Sequence, residues 1–235
     1  MNKMYETIDV IKKYKNGDGE IFALNNVNVY FEKGKVSTIL GPSGSGKTTL
    51  LNVLSGLDNL SEGQILFDGT DISKYNESKL TQYRRVNTGF IFQSYNLIST
   101  LTVRENVELG AYISQNGLDV DEVLDEVGLT EHKAKYPHQL SGGQQQRVAI
   151  ARVLVKNPKV IFCDEPTGAL DEVSGRKVLD LLQKLNEKYK TTLIMVTHNP
   201  NIADMSHKVI YFRDGKIVKE LENETISSAF DIDWS

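Results

Sequence analysis

The sequence has a single cysteine, Cys163, among its 235 residues. One thiol cannot close an intrachain disulfide, so a disulfide-stapled secreted scaffold is excluded and a reducing compartment fits. No apolar stretch approaches the roughly 18–20 residues a membrane-crossing helix needs; the runs present are short, such as Val160 to Cys163. Met1 to Tyr14 mix charges and lack a continuous apolar segment, so no signal peptide is expected. Positive charge is not in excess either: 27 Lys plus Arg stand against 31 Asp plus Glu, a formal net charge of −4. Without a basic stripe to neutralise phosphodiesters, no nucleic acid is expected as a partner, and an anionic substrate has to be met locally.

What is present is an ordinary globular composition, 40% apolar and 25% charged, at a length that α/β folds often reach as one unit. Thr7 to Val10 and Phe22 to Phe31 alternate as half-buried strands, with turns at Asn16-Gly17-Asp18-Gly19 and Glu32-Lys33-Gly34-Lys35. Ser37 to Leu40 reads as a strand running into a glycine-rich loop, and Lys47 to Leu57 as a helix. Gln64 to Phe67 reads as a strand before the turn Asp68-Gly69. From about Thr102 to Val155 the apolar residues recur at helical spacing, which predicts a helical insert. A compact strand at Lys159 to Cys163, a helix from about Val173 to Tyr189 and a strand at Thr192 to Val196 follow. Lys208 to Phe212 and Lys216 to Val218 form a last strand pair around Arg213-Asp214-Gly215. Alternating strands and helices predict a parallel sheet covered on both faces. Glu220 to Ser235, with five acidic and no basic residues, reads as a partly ordered tail.

Gly41-Pro42-Ser43-Gly44-Ser45-Gly46-Lys47-Thr48-Thr49 matches G-x-x-x-x-G-K-[ST] between a strand and a helix. Its glycines let backbone N–H groups turn toward phosphate oxygens, and the helix start adds its dipole. Lys47 would put a charge on those phosphates and Thr48 a hydroxyl on Mg²⁺. Val160 to Glu165 places two carboxylates at a strand end. Asp164 would hold Mg²⁺, and Glu165 would polarise an attacking water, unless it is a solvated carboxylate that starts a loop. Cys163, inside the apolar run, reads as a small buried hydrophobe. Leu140-Ser141-Gly142-Gly143-Gln144 opens another helical stretch, with capping-box spacing between Ser141 and Gln144. It could serve as a second anion site or simply as a capped helix; one nucleotide does not need two such sites.

The phosphate loop, the Leu-Ser-Gly-Gly-Gln pentapeptide and the Asp164-Glu165 strand, in this order, resemble the ATP-binding-cassette transporter ATPases from Tyr5 to about Val218. Phe92 to Leu97, Leu101 to Val107 and Thr167-Gly168-Ala169-Leu170-Asp171 look most like the lipoprotein-release, macrolide-export and antimicrobial-peptide-resistance branch. The resemblance implies that Ser141, Gly142, Gly143 and Gln144 of one subunit close on ATP held by the other, making a homodimer with nucleotide sandwiched between copies. It further implies that Gln93 touches Mg²⁺ and the attacking water, that His198 contacts the γ-phosphate, and that the Asp171 loop crosses to the opposite subunit. Tyr14 corresponds to the aromatic that stacks on adenine, with Phe22 as its rival because of the Asn16 to Glu20 insertion. Gly168 replaces a serine common elsewhere in the family.

The expected fold is therefore α/β: a P-loop, RecA-like parallel-sheet core with an antiparallel β subdomain and an inserted helical subdomain at about 94–156. One domain over 1–220 would precede an acidic tail at 221–235. The expected activity is ATP hydrolysis to ADP and phosphate with Mg²⁺, peripheral on the cytoplasmic face, powering an integral-membrane permease subunit. Tyr95, Leu97 and Ile98 are expected to line a groove for a short helix of that subunit. A coiled-coil chromosome or repair ATPase is excluded, because no heptad arm lies between Lys47 and Asp164. A regulatory or tethering role in a cell-division or envelope-remodelling complex remains the alternative.

Overall fold

The computed structural model describes residues 2–17 and 19–234. Two sheets share the chain. The smaller is antiparallel and built from β1 (Lys3–Asn16), β2 (Gly19–Glu32), β4 (Glu62–Phe67) and β5 (Thr70–Asp71), in the order β2-β1-β4-β5. The larger runs β10-β9-β3-β8-β7-β6, from β3 (Val36–Leu40), β6 (Thr88–Phe92), β7 (Val160–Asp164), β8 (Thr192–Thr197), β9 (Lys208–Arg213) and β10 (Lys216–Glu222). Its pairings are parallel except at the β9–β10 edge.

Every residue of β3 and β8 is buried, as expected of parallel strands covered on both faces. The two-residue period then splits their side chains between two cores. Ile39, Phe162, Ile194 and Ile210 face one core, with Tyr5 and Phe31 of the antiparallel sheet and Leu50, Leu51 and Leu54 of α1 (Lys47–Ser55). Ile161, Cys163, Leu193 and Met195 face the other, with Val148 and Ile150 of α5 (Gly142–Leu154) and Leu179 and Leu182 of α6 (Glu172–Tyr189). Each fully buried leucine of this kind stabilises by about 1.5–3 kcal/mol. Leu54→Ala, which leaves a cavity under the sheet, should cost about 2–5 kcal/mol. Cys163 has no exposed surface, and burial pushes its thiol pKa up, so it packs as an inert apolar group.

Between β6 and β7 lie α3 (Val103–Ile113), α4 (Val120–Glu126) and α5. Thr102 starts α3 with a capping box to Glu105, a device typically worth about 1 kcal/mol. Asn106, fully buried, donates its amide to the carbonyls of Ile98, Leu101 and Thr102 and so pins the loop entering the helix. The sequence reading missed α2 (Glu77–Asn87) and β6. Only Leu80 and Tyr83 of α2 are buried, too few for a visible apolar stripe. Residues 223–234 also differ from expectation. They pack along α6, with Ala229 and Ile232 buried, in place of a partly ordered tail.

Candidate functional site

The C-terminal ends of β3, β7 and β8 meet at one edge of the parallel sheet, the edge where open α/β folds hold ligands. The chain leaves β3 through Gly41 to Gly46 and enters α1 at Lys47. Two glycines there are sterically required. A Cβ on Gly41 would collide with the carbonyl oxygen of Phe212, and one on Gly46, whose φ is 105°, with the carbonyl oxygen of Ala23. Gly46 is also the N-cap of α1 and offers no side-chain acceptor, so the first helical N–H groups stay available to an anion.

Lys47 arches back over this loop and donates to the carbonyls of Gly41 at 2.8 Å and Pro42 at 2.9 Å. Burial lowers its pKa, and the nearby Glu165 and Asp164 carboxylates work against that. Asp164, at the end of β7, has its carboxylate pKa raised, chiefly by desolvation and further by Glu165; Thr48, donating to both its oxygens at 3.2 Å, and Lys47 oppose the rise. Glu165 sits in the left-handed region at φ 51°, held by its N–H on the Val196 carbonyl at 3.0 Å. A non-glycine residue in that region costs about 1–3 kcal/mol and persists where surrounding bonds impose it. His198 Nδ1 lies 3.0 Å from Glu165 Oε1, while the rest of the imidazole is exposed to the cavity.

The cavity encloses about 520 Å³ and is lined by Ser43 to Thr49, Gln93, Asp164, Glu165, His198 and, on its outer side, Phe22. Gln93 leaves β6 so that its Nε2 lies 2.9 Å from where a Cβ of Gly168 would be. A glycine at 168 therefore leaves room for the glutamine amide beside Glu165. Ser45 Oγ is buried in this loop without a partner. Val196, whose carbonyl fixes Glu165, gave no signal in the sequence, because a backbone carbonyl looks alike at every residue.

Other anticipated residues lie elsewhere. Tyr14 does not line the cavity; its hydroxyl donates to Asp58 at 2.7 Å, and Lys12 stands 4.8 Å from its ring centre. Ser141, Gly142, Gly143 and Gln144 form the first turn of α5, away from the cavity, with the capping box present. Asp171 caps α6, accepting from Ser174 N at 2.9 Å. At Tyr95 to Ile98, where a groove is expected, the Tyr95 hydroxyl comes close to Gly142 and Leu97 packs partly on the core, leaving both half-buried and Ile98 44% exposed. Arg152 of α5 holds this loop through the carbonyls of Tyr95 and Asn96. The exposed apolar set nearby is instead on α3: Leu109, Tyr112 and Ile113.

Residues 24–168 match the family model described as ABC transporter. The bacitracin export ATP-binding protein BceA of Halalkalibacterium halodurans is 44% identical over 92% of this chain and 87% of its own length. A putative ABC transporter ATP-binding protein of Mycoplasma pneumoniae is 44% identical over 97% of this chain, which spans only 50% of that protein. MJ0796 of Methanocaldococcus jannaschii is 43% identical over 92% of this chain and 96% of its own length. Its dimeric post-hydrolysis structure with ADP and Pi superposes with a TM-score of 0.84 at 41% identity, covering 93% of this chain and 98% of that one. A phosphate loop, a carboxylate pair and a pentapeptide helix standing apart from them thus occur here on a fold and a sequence already shared with such cassettes, and the chain belongs to the ABC transporter family as an ATP-binding cassette.

Proposed function

We propose that this chain binds MgATP at the Lys47 cavity and hydrolyses it after a second copy closes the site with its Ser141 to Gln144 turn. The observation that carries the reading is the placement of Glu165. Its carboxylate is held by His198 beside Asp164 and Lys47, with the backbone bent to aim it into the cavity. Glu165 acts as general base toward water, and His198 orients it and reaches toward the terminal phosphate. Lys47 and the amides from Gly44 to Thr49 bind and orient the phosphates, and positioning with charge neutralisation does the rest.

The donor set fits magnesium. Thr48 hydroxyl, Asp164 carboxylate and the Gln93 amide oxygen are hard oxygen ligands on residues that line the cavity, too few for an all-protein cage, which suits an ion that also takes phosphate oxygens and water. When bound, Mg²⁺ supplies charge neutralisation for the phosphates.

The membrane partner is a separate permease, with this chain peripheral on the cytoplasmic face. Among the described residues no helix is long and apolar enough to cross a membrane. The helical region at about 94–156 acts as the moving subdomain, and the α3 face with Ile98, Leu109, Tyr112 and Ile113 is the surface that meets the permease. BceA is named for bacitracin export and MacB of Neisseria meningitidis for macrolide export, at 44% and 42% identity, which favours an export or peptide-resistance system. Complementation tests the two-copy reading. Lys47→Ala and Ser141→Arg chains should each be inactive alone, yet hydrolyse ATP when mixed, because one composite site then has an intact loop and an intact pentapeptide. Full activity of a strict monomer would refute it.

A further inference from the structure

Residues 223–234 take no part in the chemistry above, yet hydrogen bonds tie them to the turn at 200–206 and then to α6. We propose that this segment is a strap that positions the Asp171 loop for dimer closure, with Trp234 and Arg176 as its positioning residues. The inference rests on the reading that the Asp171 loop crosses to a second copy.

The strap begins where Asn223 donates its amide to the carbonyls of Ala203 and Ser206 at 3.0 and 2.7 Å, and Ser227 N donates to Asp204 O at 2.9 Å. Gln183 of α6 then grips it from both ends of one amide, donating to Ser227 O at 2.8 Å and accepting from Ala229 N at 3.1 Å. Arg176 closes the far end. Its Nη1 donates to the carbonyls of Ala229, Phe230 and Ile232 at 3.1, 3.2 and 2.8 Å, while Nε and Nη2 hold Glu172 on the first turn of α6. The guanidinium also lies 5.5 Å from the centre of the Trp234 ring, within cation–π range.

Trp234 fills a notch in α6 that exists because residue 175 is glycine. A Cβ there would stand 2.5 and 2.6 Å from Trp234 Cη2 and Cζ2, and 3.6 Å from Thr167 Cβ. Glycine inside a helix costs about 0.5–1 kcal/mol relative to alanine, so the helix gives up stability to seat this ring. The notch lies behind the loop from Thr167 to Asp171. On another side of the same turn, Ser174 donates its N–H to Asp171 and packs 3.1 Å from where a Gly143 Cβ would be. One helical turn, 171–175, thus carries the strap, the Asp171 loop and the contact to the pentapeptide helix, whereas the Lys47 cavity includes none of them. Release of the strap should therefore impair closure between copies and leave nucleotide binding by one copy intact.

The test uses the full chain carrying Glu165→Gln, with MgATP, and reads the dimer constant by sedimentation and the nucleotide affinity of the monomer separately. Trp234→Ala and Gly175→Ala should each weaken the dimer about tenfold, a typical coupling between sites, with monomer affinity unchanged. Trp234→Phe should recover most of the loss. The double variant Gly175→Ala, Trp234→Ala should be no weaker than either single one, because the first displaces the ring and the second removes it, so both lose the same contact. Gly175→Ala favours helix, so a weakened dimer at unchanged Tm reports positioning and not unfolding. Dimers as tight as the parent, additive losses, or a parallel fall in monomer affinity would overturn the proposal. Asp171→Ala separates the two readings: if it leaves the dimer intact, the crossing loop fails, and if it breaks the dimer while the strap variants do not, the strap alone fails.

Discussion

Two helices of this molecule begin at glycine-rich turns, α1 at Gly46-Lys47 and α5 at Ser141-Gly142, and they differ in how the first N–H groups are treated. The α1 cap makes no side-chain hydrogen bond, and its turn opens into a cavity of about 520 Å³ shared with Asp164, Glu165 and His198. The α5 cap is closed on itself, with Ser141 Oγ accepting from Gln144 N at 3.3 Å and Gln144 Oε1 accepting from Ser141 N at 2.9 Å. One helix start is left incomplete within its own chain, which suits a ligand held there. The other is stable without any ligand, with Ser141 exposed and Gly142 and Gly143 half-buried beside Tyr95 and Ser174. A half-site of each kind on one chain is what a head-to-tail pair requires.

The sharpest way to break this comparison is at the concave half. Glu165→Gln should keep MgATP binding and lower turnover by about 10²–10⁴-fold, the usual range for losing a general base. Lys47→Ala should instead weaken binding itself. Phosphate release near the parent rate from purified Glu165→Gln would remove the assignment.

Next in size is the exposed half. Ser141→Arg also removes a cap worth about 1 kcal/mol, so Ser141→Asp is the cleaner probe: aspartate caps as well as serine but sets a negative charge against the incoming phosphates. Its ATP-dependent dimer should be at least about tenfold weaker, with monomer nucleotide affinity and Tm unchanged, measured by light scattering and calorimetry. A dimer as tight as that of the parent would show that α5 only packs.

A smaller effect is expected at the outer rim. The Tyr14 hydroxyl is held by Asp58, which fixes its ring outside the cavity lining, whereas Phe22 lines the cavity with Lys13 Nζ 5.1 Å from its ring centre. Tyr14→Ala should weaken ATP binding by about tenfold, the worth of one stacked base, and Phe22→Ala by less. Titration with a fluorescent adenine nucleotide ranks them, and the opposite order would move the base to Phe22.

The smallest effect is on stability. Asp164 has a folded pKa above its unfolded value, because burial and Glu165 disfavour its charge. A carboxylate raised in this way favours the fold below its unfolded pKa, and that advantage is lost as pH rises through the folded one. At neutral pH, without nucleotide or metal, Asp164→Asn should therefore raise Tm by a few degrees while abolishing hydrolysis. The gain should shrink as pH falls into the carboxylate range. Equal or lower Tm at pH 7 would mean that the Thr48 bonds outweigh desolvation.

Legibility followed local constraint. Gly41 to Thr49 could be read because a strand, a glycine turn and a helix start occupy nine consecutive residues, and the Ser141–Gln144 capping box because its bonds span three. α2 escaped notice because Leu80 and Tyr83 alone face inward. The packing of Tyr95 could not be read locally, because it depends on Gly142 and Arg152, far along the chain.

From its sequence alone this protein has most of its secondary-structure order, α2 and β6 excepted, with a phosphate loop, a carboxylate pair at a strand end and a capped pentapeptide helix, since each of these is set by neighbours within a few residues. Only the tertiary structure decided that Glu165 is bent by the Val196 carbonyl and met by His198, that Gly168 leaves room for Gln93, and that Trp234 is seated against Gly175. Those contacts join segments that come together only when the parallel sheet orders β3, β8, β7 and β6 side by side, and strand order is a property of the packed core, not of any one stretch of chain.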